Sequence, residues 1–201
     1  TTVAAIGKFI EYKHSLSRRF PKHVEDEARL AVAALAQRGR ADQRRLGFVT
    51  IDGKNARDFD DAVAIQRKVS GFTLHVAIAD VSHYVKTGSL LDQEAAKRGM
   101  SVYFPDRVLP MLPKTLSNGI CSLNPLEERY TVTATIDFDR NGRVLGCSFC
   151  PSLIRSTMRL TYEAVEKAII ENDRKTRRKL EPHLAALTDM AELAGLITST
   201  R

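Results

Sequence analysis

Four aspartates are gathered in one short stretch of the sequence, TIDGKNARDFDDA, and they are Asp52, Asp58, Asp60 and Asp61. Carboxylates this close repel one another, and burying any of them unpaired is costly, so the cluster needs a counter-charge. Carboxylate oxygens with no histidine or cysteine nearby are typical ligands of Mg²⁺, Mn²⁺ or Ca²⁺. Four carboxylates would balance two divalent ions, and two such ions about 4 Å apart stabilise the attacking and leaving oxygens of phosphoryl hydrolysis.

Two other interpretations of the aspartate cluster have to be weighed. An EF-hand loop needs acidic or amide residues at alternate positions and a glutamate at the twelfth, and this spacing does not fit. A solvated acidic loop is a common fate of an aspartate-rich turn, since charge runs usually mark exposed surface. The apolar flanks VTI and AVAI place the carboxylates at the ends of core strands. The flanks therefore favour the metal site.

Two predicted strands must position these carboxylates. The apolar run LGFVTID ends in Asp-Gly, and DAVAIQRKVSGFTLHVAIADV predicts two strands joined at residues 68–71. The segment GKNAR must turn the chain back, which brings Asp52 close to the other three aspartates. In a strand Asp58 and Asp60 share a face, whereas Asp61 joins them only through a bulge or bend.

The rest of the chain predicts a mixed α/β fold, in which a mostly antiparallel sheet is flanked by helices. The first 45 residues have a helical pattern, strongest over 24–38, and SLLDQEAAKR predicts a helix capped by Ser89 and ended by Gly99. Residues 105–125 predict a long ordered loop. Strands over 130–138 and 143–154 are predicted on either side of the turn Asn141-Gly142, and the pattern beyond Thr161 is helical.

Composition limits the partners of this chain. It has 201 residues, of which 43% are hydrophobic, and 31 Lys+Arg against 24 Asp+Glu give a formal net charge of +7. This balance favours polyanionic partners, either nucleic acid or an anionic membrane surface. No apolar run approaches the roughly 18 residues of a membrane-spanning helix. The start of the sequence has neither a signal peptide nor a methionine, so we expect an excised piece of a longer protein.

The three cysteines favour a reducing, cytoplasmic compartment, because they are too few for a disulfide framework. Cys147 and Cys150 have the spacing of half a zinc site, but no second pair completes it. In an extended strand their side chains point to opposite faces. Structural packing is the preferred interpretation of both.

Four segments resemble, in order, the catalytic domain of the ribonuclease II and ribonuclease R family, the RNB domain. They are TIDGKNARDFDDAVAI, HVAIADVSHYV, SVYFPDRVLPMLPKTLSNGICSLNP and SLIRSTMRLTYEAV, within residues 46–165. The resemblance implies a 3′-to-5′ exoribonuclease that hydrolyses single-stranded RNA to nucleoside 5′-monophosphates with Mg²⁺, for which Mn²⁺ is a possible substitute. It also implies that residues 1–45 lead into the domain and that 46–201 form its first part.

The resemblance implies roles for particular residues. The four aspartates match the family's metal-binding motif, and Asp60 would be the most essential to the chemistry. Tyr103 matches a tyrosine that stacks on the 3′-terminal base, a contact worth about 1–3 kcal/mol. Tyr162 and Arg159 would lie near the RNA end, with Arg159 on a phosphate, and His83 would lie close to the RNA. Without the resemblance, Tyr103 is better explained as a half-buried strand aromatic and His83 as a structural histidine, and Arg159 is equally well explained as a surface arginine.

Three polar residues of the proline-rich loop, Asn118, Ser122 and Asn124, have two interpretations. Either they line the RNA channel, or they satisfy backbone groups of the loop itself.

The sequence also departs from the family. It ends before the positions of a second stacking aromatic and of an arginine at the scissile phosphate, and Lys54-Asn55 stands where the family often has an acidic residue. We expect this chain to bind metal and to be slow or inactive by itself. A catalytically silent RNA-binding module is the alternative, and metal chelation distinguishes the two, because it stops an exonuclease and barely affects a salt-sensitive binder.

Overall fold

The computed structural model describes residues 2–33 and 39–199. Its strands are β1 Ala41–Asp42, β2 Val49–Asp52, β3 Asp61–Lys68, β4 Gly71–Ala79, β5 Val102–Tyr103, β6 Val108–Leu109, β7 Glu128–Asp139, β8 Val144–Arg155 and β9 Met158–Thr161. Its α-helices are α1 Val3–Lys13, α2 Lys22–Ala33, α3 Val81–Tyr84, α4 Leu90–Arg98, α5 Tyr162–Ile169, α6 Arg174–Lys179 and α7 Leu184–Ser199.

The chain divides into two compact units, although its length is typical of one domain. One unit comprises the described residues of Thr1–Ala36 and Val81–Ile120, and the other those of Gln37–Asp80 and Cys121–Arg201. The chain therefore leaves the second unit after β4 and returns to it before β7. All four aspartates of the cluster belong to the second unit.

The second unit is built on a seven-stranded sheet with the order β1-β8-β7-β4-β3-β2-β9. Its strand pairs are antiparallel except at the two ends, where β1 pairs with β8 and β9 pairs with β2 in parallel. This confirms the predicted mixed, mostly antiparallel sheet with flanking helices. The parallel pair β2–β9 joins residues that are more than a hundred positions apart, and it sets the first aspartate beside the last strand.

Turn chemistry fixes the register of the central strands. In the β3–β4 hairpin Lys68 pairs with Gly71, where φ is +145° and a Cβ would lie 2.1 Å from the Phe138 carbonyl oxygen, so only glycine fits. In the β7–β8 hairpin the Asp139 carboxylate accepts hydrogen bonds from the backbone N–H of Asn141 at 2.8 Å and of Arg143 at 2.9 Å. Both predicted hairpins are confirmed.

Helices α5 and α7 cover part of one face of this sheet. A cluster around the edge strands contains Val49, Leu160, Ala168, Leu180 and Leu187. A second cluster lies farther along the central strands and contains Ile65, Phe72, Phe138 and Leu193. Apolar burial of this kind holds β9 against β2 and fixes the start of α5, which follows β9 without a loop.

The first unit holds helices α1 to α4 and the short β5–β6 pair, in which Tyr103 lies opposite Val108. Helix α4 is capped by Ser89, whose hydroxyl accepts from the Asp92 N–H, and it ends at Gly99, as predicted. The predicted helix over 24–38 is observed as α2, and residues 34–38 lie outside the described residues.

The predicted long loop 105–125 is only partly a loop. It contains β6 and a π-helical segment over Thr115–Ile120 that is kinked at Gly119, and its embedded leucines Leu109 and Leu116 are buried. Among the described residues, no helix is long and apolar enough to cross a membrane.

The cysteine pair lies on β8, where Cys147 is exposed and Cys150 is half-buried. The Gln43 amide nitrogen lies 3.8 Å from the Cys150 sulfur. Cys147 is thus not packed in the interior, contrary to the expectation for that residue, because this part of β8 is exposed on both faces. Within residues 2–33 and 39–199, no group of three or more His, Cys, Asp or Glu residues is arranged to hold a metal ion, so no zinc site forms around the pair.

Burial of β9 leads to a stability prediction. We expect Leu160→Ala to lower the free energy of unfolding by about 2–5 kcal/mol, because this leucine is 2% exposed and its truncation leaves a cavity beside β2. The control Leu145→Ala, at a side chain that is 65% exposed, should change it by less than about 0.5 kcal/mol. Urea unfolding measures both. Equal losses in the two variants would contradict the packing of β9.

Candidate functional site

The two strands that carry the aspartates bring their ends together. Asp52 is the last residue of β2 and Asp61 is the first residue of β3. The strands are antiparallel and Val49 pairs with Val63, so the end of β2 and the start of β3 lie at the same end of the sheet. Asp52 also pairs with Thr161 of β9, the residue that caps helix α5. This edge of the sheet is hereafter the acidic edge.

Arg159 holds the turn that leaves Asp52. The turn itself is closed by a hydrogen bond from the Ala56 N–H to the Gly53 carbonyl at 3.0 Å. From β9, the Arg159 Nη2 donates to the carbonyls of Gly53 at 2.9 Å and Lys54 at 2.7 Å. The guanidinium carbon lies 5.3 Å from the Phe59 ring centroid, within cation–π range. The arginine predicted to meet RNA thus already shapes the backbone beside Asp52.

Ser122 holds the other half of the loop. Its fully buried hydroxyl donates to the Arg57 carbonyl at 3.1 Å and accepts from the Phe59 N–H at 3.1 Å. The Leu123 N–H donates to the Phe59 carbonyl at 2.9 Å, and the Ala79 N–H donates to that of Asp60 at 2.8 Å. The backbone around Asp58 and Asp60 is therefore fixed on both sides of a buried phenylalanine.

Ser122 resolves one of the alternatives that the sequence left open, since it satisfies backbone groups rather than lining a channel. Sequence reasoning missed it as a positioning residue, together with Phe59. The signal for Phe59 was present, because one large apolar residue between two aspartates in DFD has to turn inward while the acids turn outward. No comparable local signal marks Ser122, whose partners are more than sixty residues away.

The electrostatics of the acidic edge show a shortage of positive charge. The pKa of Asp52 is raised, first by burial and then by repulsion from Asp61, while Arg159 opposes the shift. The pKa of Asp60 is also raised, by the loss of hydration against neighbouring protein atoms and by Asp58 and Asp61, although the residue as a whole is exposed. The four carboxylates are thus close enough to repel one another electrostatically.

The carboxylate oxygens of the four aspartates are the type of ligand that a hard divalent cation prefers. All four are carboxylates, and the Asp52 Oδ2 is buried with no hydrogen-bond partner. In the described part of the chain, no three of them are arranged to hold a metal ion as they stand. Mutual repulsion is the physical reason to expect like charges to stay apart until a cation binds.

The remaining predicted site residues are divided between the units. Tyr162 is the first residue of α5, is 62% exposed, and follows Thr161, the partner of Asp52. It therefore lies at the acidic edge. His83 and Tyr103 belong to the other unit: His83 lies in α3 with its ring edge-on to Tyr84, and Tyr103 lies in β5 and is 65% exposed.

Comparison with known proteins identifies the family of this chain. The family model of the RNB domain matches residues 40–201. This chain belongs to the RNB domain family. Ribonuclease R of Thermotoga maritima is 44% identical over 195 residues, which cover 94% of this chain and 27% of that protein. The chain thus spans little more than a quarter of this relative's length.

Solved structures show the same RNB fold. Mycoplasma genitalium RNase R in complex with ribose methylated single-stranded RNA matches with a TM-score of 0.87 and 33% identity, over 96% of this chain and 30% of that chain. Yeast Ssd1, a pseudonuclease, matches with a TM-score of 0.58 and 22% identity, over 64% of this chain and 16% of that one. The second likeness is one of fold alone.

Repulsion at the acidic edge leads to a pH prediction. A carboxyl whose pKa is raised on folding stabilises the folded chain at low pH and loses that contribution as the pH rises through its folded pKa. At pH 7 in a metal chelator, Asp60→Asn should therefore raise the free energy of unfolding, by up to about 1 kcal/mol for a partly exposed group. The gain should vanish in acid. Thermal unfolding between pH 3 and pH 8 measures it.

Asp137→Asn is the matched control. Hydrogen bonds from Thr73 and Lys68 lower the pKa of Asp137, so the charged carboxylate stabilises the fold. Asp137→Asn should therefore not raise the free energy of unfolding at pH 7. A destabilised Asp60→Asn chain at pH 7 would contradict the repulsion.

The buried hydroxyl of Ser122 leads to a second prediction. Ser122→Ala leaves the Arg57 carbonyl and the Phe59 N–H without a partner and should cost about 1–3 kcal/mol of stability. It should also weaken Mn²⁺ binding, read by electron paramagnetic resonance, because the loop is no longer fixed. Ser148→Ala, at an exposed position of β8, should change neither quantity. Unchanged Mn²⁺ binding in Ser122→Ala would show that the serine does not position the aspartates.

Proposed function

We propose that this chain carries the metal-binding part of the active site of a 3′-to-5′ exoribonuclease, which hydrolyses single-stranded RNA to nucleoside 5′-monophosphates with Mg²⁺, or with Mn²⁺ as a substitute. The observation that carries the proposal is the acidic edge, where four carboxylates share one end of β2 and β3. Burial and mutual repulsion raise the pKa of Asp52 and Asp60 there. Membership of the RNB family and the RNA-bound state of the Mycoplasma genitalium relative support the same substrate class.

The chain's own residues divide the work in this proposal. Asp52, Asp58, Asp60 and Asp61 hold the metal, and Asp60 is the most essential of them. Bound Mg²⁺ would supply positive charge to the attacking and leaving oxygens of the phosphodiester. Ser122 and Arg159 keep the aspartates in place through the backbone, and Asp60 offers an exposed carboxylate to the substrate side.

RNA recognition is proposed for four residues. Tyr162 offers an exposed ring at the acidic edge, and Tyr103 offers one in the other unit, on which a base can stack. His83 is proposed to lie close to the RNA. Arg159 could reach a phosphate only with the part of its guanidinium that the turn does not use, since Nη2 is occupied. Its larger proposed contribution is therefore positional.

Two further expectations stay predictions. The division into a helical lead-in over 1–45 and the first part of the RNB domain over 46–201 differs little from the family match, which begins at residue 40. A cytoplasmic location is favoured by three cysteines that are all free.

The alternative function is a catalytically silent RNA-binding module. The likeness to yeast Ssd1 shows that the fold by itself does not decide between the two. Repulsion from neighbouring aspartates, which raises the pKa of Asp52 and Asp60, favours the enzyme, because a module without metal chemistry gains nothing from such repulsion.

A chimera tests the proposal within a complete enzyme. Residues 40–201 replace the matching segment of Thermotoga maritima ribonuclease R, and the product is given a 5′-labelled single-stranded RNA with Mg²⁺. We expect the RNA to shorten from its 3′ end, EDTA to stop the reaction, and Asp60→Asn to slow it by about 10²-fold or more with nearly unchanged RNA affinity. The control Asp42→Asn, at an exposed aspartate paired with Arg44, should keep full activity.

Two outcomes would contradict the proposal. Full activity in the Asp60→Asn chimera would show that Asp60 is not essential to hydrolysis. A folded chimera that binds RNA without hydrolysing it would favour the silent module.

A further inference from the structure

Helix α6 separates its residues into two faces. Its sequence is RKTRRK, and at 3.6 residues per turn Arg174, Lys175, Arg178 and Lys179 fall on one side of the helix. All four side chains are exposed. The other side carries Thr176 and Arg177, which are half-buried, and Leu180, which follows the helix and is 7% exposed. The four outward cations are hereafter the α6 patch.

The inward side fastens this helix to the unit. The Asp173 carboxylate caps the helix by accepting from the Thr176 N–H at 2.8 Å, and Leu180 belongs to the core cluster of the edge strands. The Arg177 Nη1 donates to the Ala168 carbonyl at 2.9 Å at the end of α5. The α6 patch therefore stands on a supported backbone.

The patch has little counter-charge of its own: the Asp173 carboxylate that caps the helix attracts Lys175 through space. Within the described residues, no hydrogen bond or ion pair is made by the four side chains, whereas Arg67 and Lys68 of the same unit pair with Asp189 and Asp137. The like-charge pairs Arg174–Arg178 and Lys175–Lys179 are four residues apart, a spacing at which they oppose helix formation. Arg174 and Lys175 also lie in the first turn, where the helix dipole disfavours cations, whereas Arg178 and Lys179 lie in the last turn, where it favours them.

Four exposed cations thus stand together without an ion pair among the described residues and repel one another at a spacing of four residues, which favours an external anion as their partner. We propose that the α6 patch is a second RNA-binding surface, which holds the phosphate backbone of the RNA independently of bound metal. This inference rests on the proposed RNA substrate. A lipid surface is disfavoured because the apolar side of the helix, at Leu180, is turned into the core and cannot insert.

The test measures RNA binding by the whole 201-residue chain in EDTA, so that hydrolysis does not interfere. A fluorescent single-stranded RNA is titrated at several salt concentrations, with the wild-type chain and with the quadruple variant Arg174→Gln, Lys175→Gln, Arg178→Gln and Lys179→Gln. The slope of log affinity against log salt should become shallower by up to about 2.8, since each lost phosphate contact removes about 0.7.

A second quadruple variant controls for net charge. It changes Arg45, Lys68, Arg143 and Arg155 to glutamine, which are exposed residues of the same unit, and both variants lower the net charge from +7 by four. Its slope should change much less than that of the α6 variant. The α6 variant should also unfold at the same temperature as the wild-type chain or higher, because like-charge repulsion is relieved, so weaker binding cannot be a folding defect.

Each outcome has a separate meaning. Equal slope changes in the two variants would overturn a local site and leave only net charge. An unchanged slope in the α6 variant, with binding intact, would overturn the patch but not the proposed nuclease. Loss of binding to vesicles of anionic phospholipid, with RNA binding unchanged, would assign the patch to a membrane and overturn the proposal. If the wild-type chain binds no RNA while the chimera hydrolyses it, the patch is refuted and the proposed function stands.

Discussion

Repulsion between carboxylates at the acidic edge is the constraint to which the second unit is fitted. Within residues 2–33 and 39–199, no ion pair neutralises Asp52 or Asp60, and such a pair would occupy the oxygens that the proposed cation needs. The fold holds the backbone between them with neutral hydrogen bonds instead, from Ser122, Leu123 and Ala79. Arg159 is the one cation that reaches the turn from β9, and its Nη2 is directed at carbonyl oxygens. These hydrogen bonds position the aspartates without neutralising their carboxylates.

Asp80, in the same unit, is an aspartate whose charge is neutralised by a buried ion pair. It follows β4, lies almost buried, and pairs with Arg40 at 2.5 Å, while the Arg40 guanidinium also covers the Tyr130 ring. An acid bound in this way is a structural element, since breaking a buried pair leaves an uncompensated charge. Asp80 thus stabilises the sheet through its ion pair, whereas among the described residues the charges of Asp52 and Asp60 are not neutralised by such a pair.

The sequence predicted what depends on local pattern. Alternating apolar residues and an Asn-Gly turn specified β7 and β8, and the apolar flanks of the DFDD segment specified the strand ends. It could not predict what depends on distant partners. The residues next to Arg159 in sequence do not predict that its guanidinium donates to the Gly53 and Lys54 carbonyls. Those next to Ser122 do not predict its hydrogen bond with the Phe59 N–H. The loop 105–125 misled in another way, because its prolines suggested irregular backbone while its leucines were specifying a π-helical turn and a short strand.

The parallel pairing of β2 with β9 has a consequence for how the protein is made. The four aspartates leave the ribosome before β9, the strand that pairs beside Asp52, because β9 lies more than a hundred residues farther along the chain. Contacts this far apart in sequence close late, after the entropy of a long loop has been overcome. The acidic loop therefore spends the first part of its existence without Arg159. During synthesis the carboxylates are present before the strands that position them, so the proposed cation site is among the last features of the unit to form.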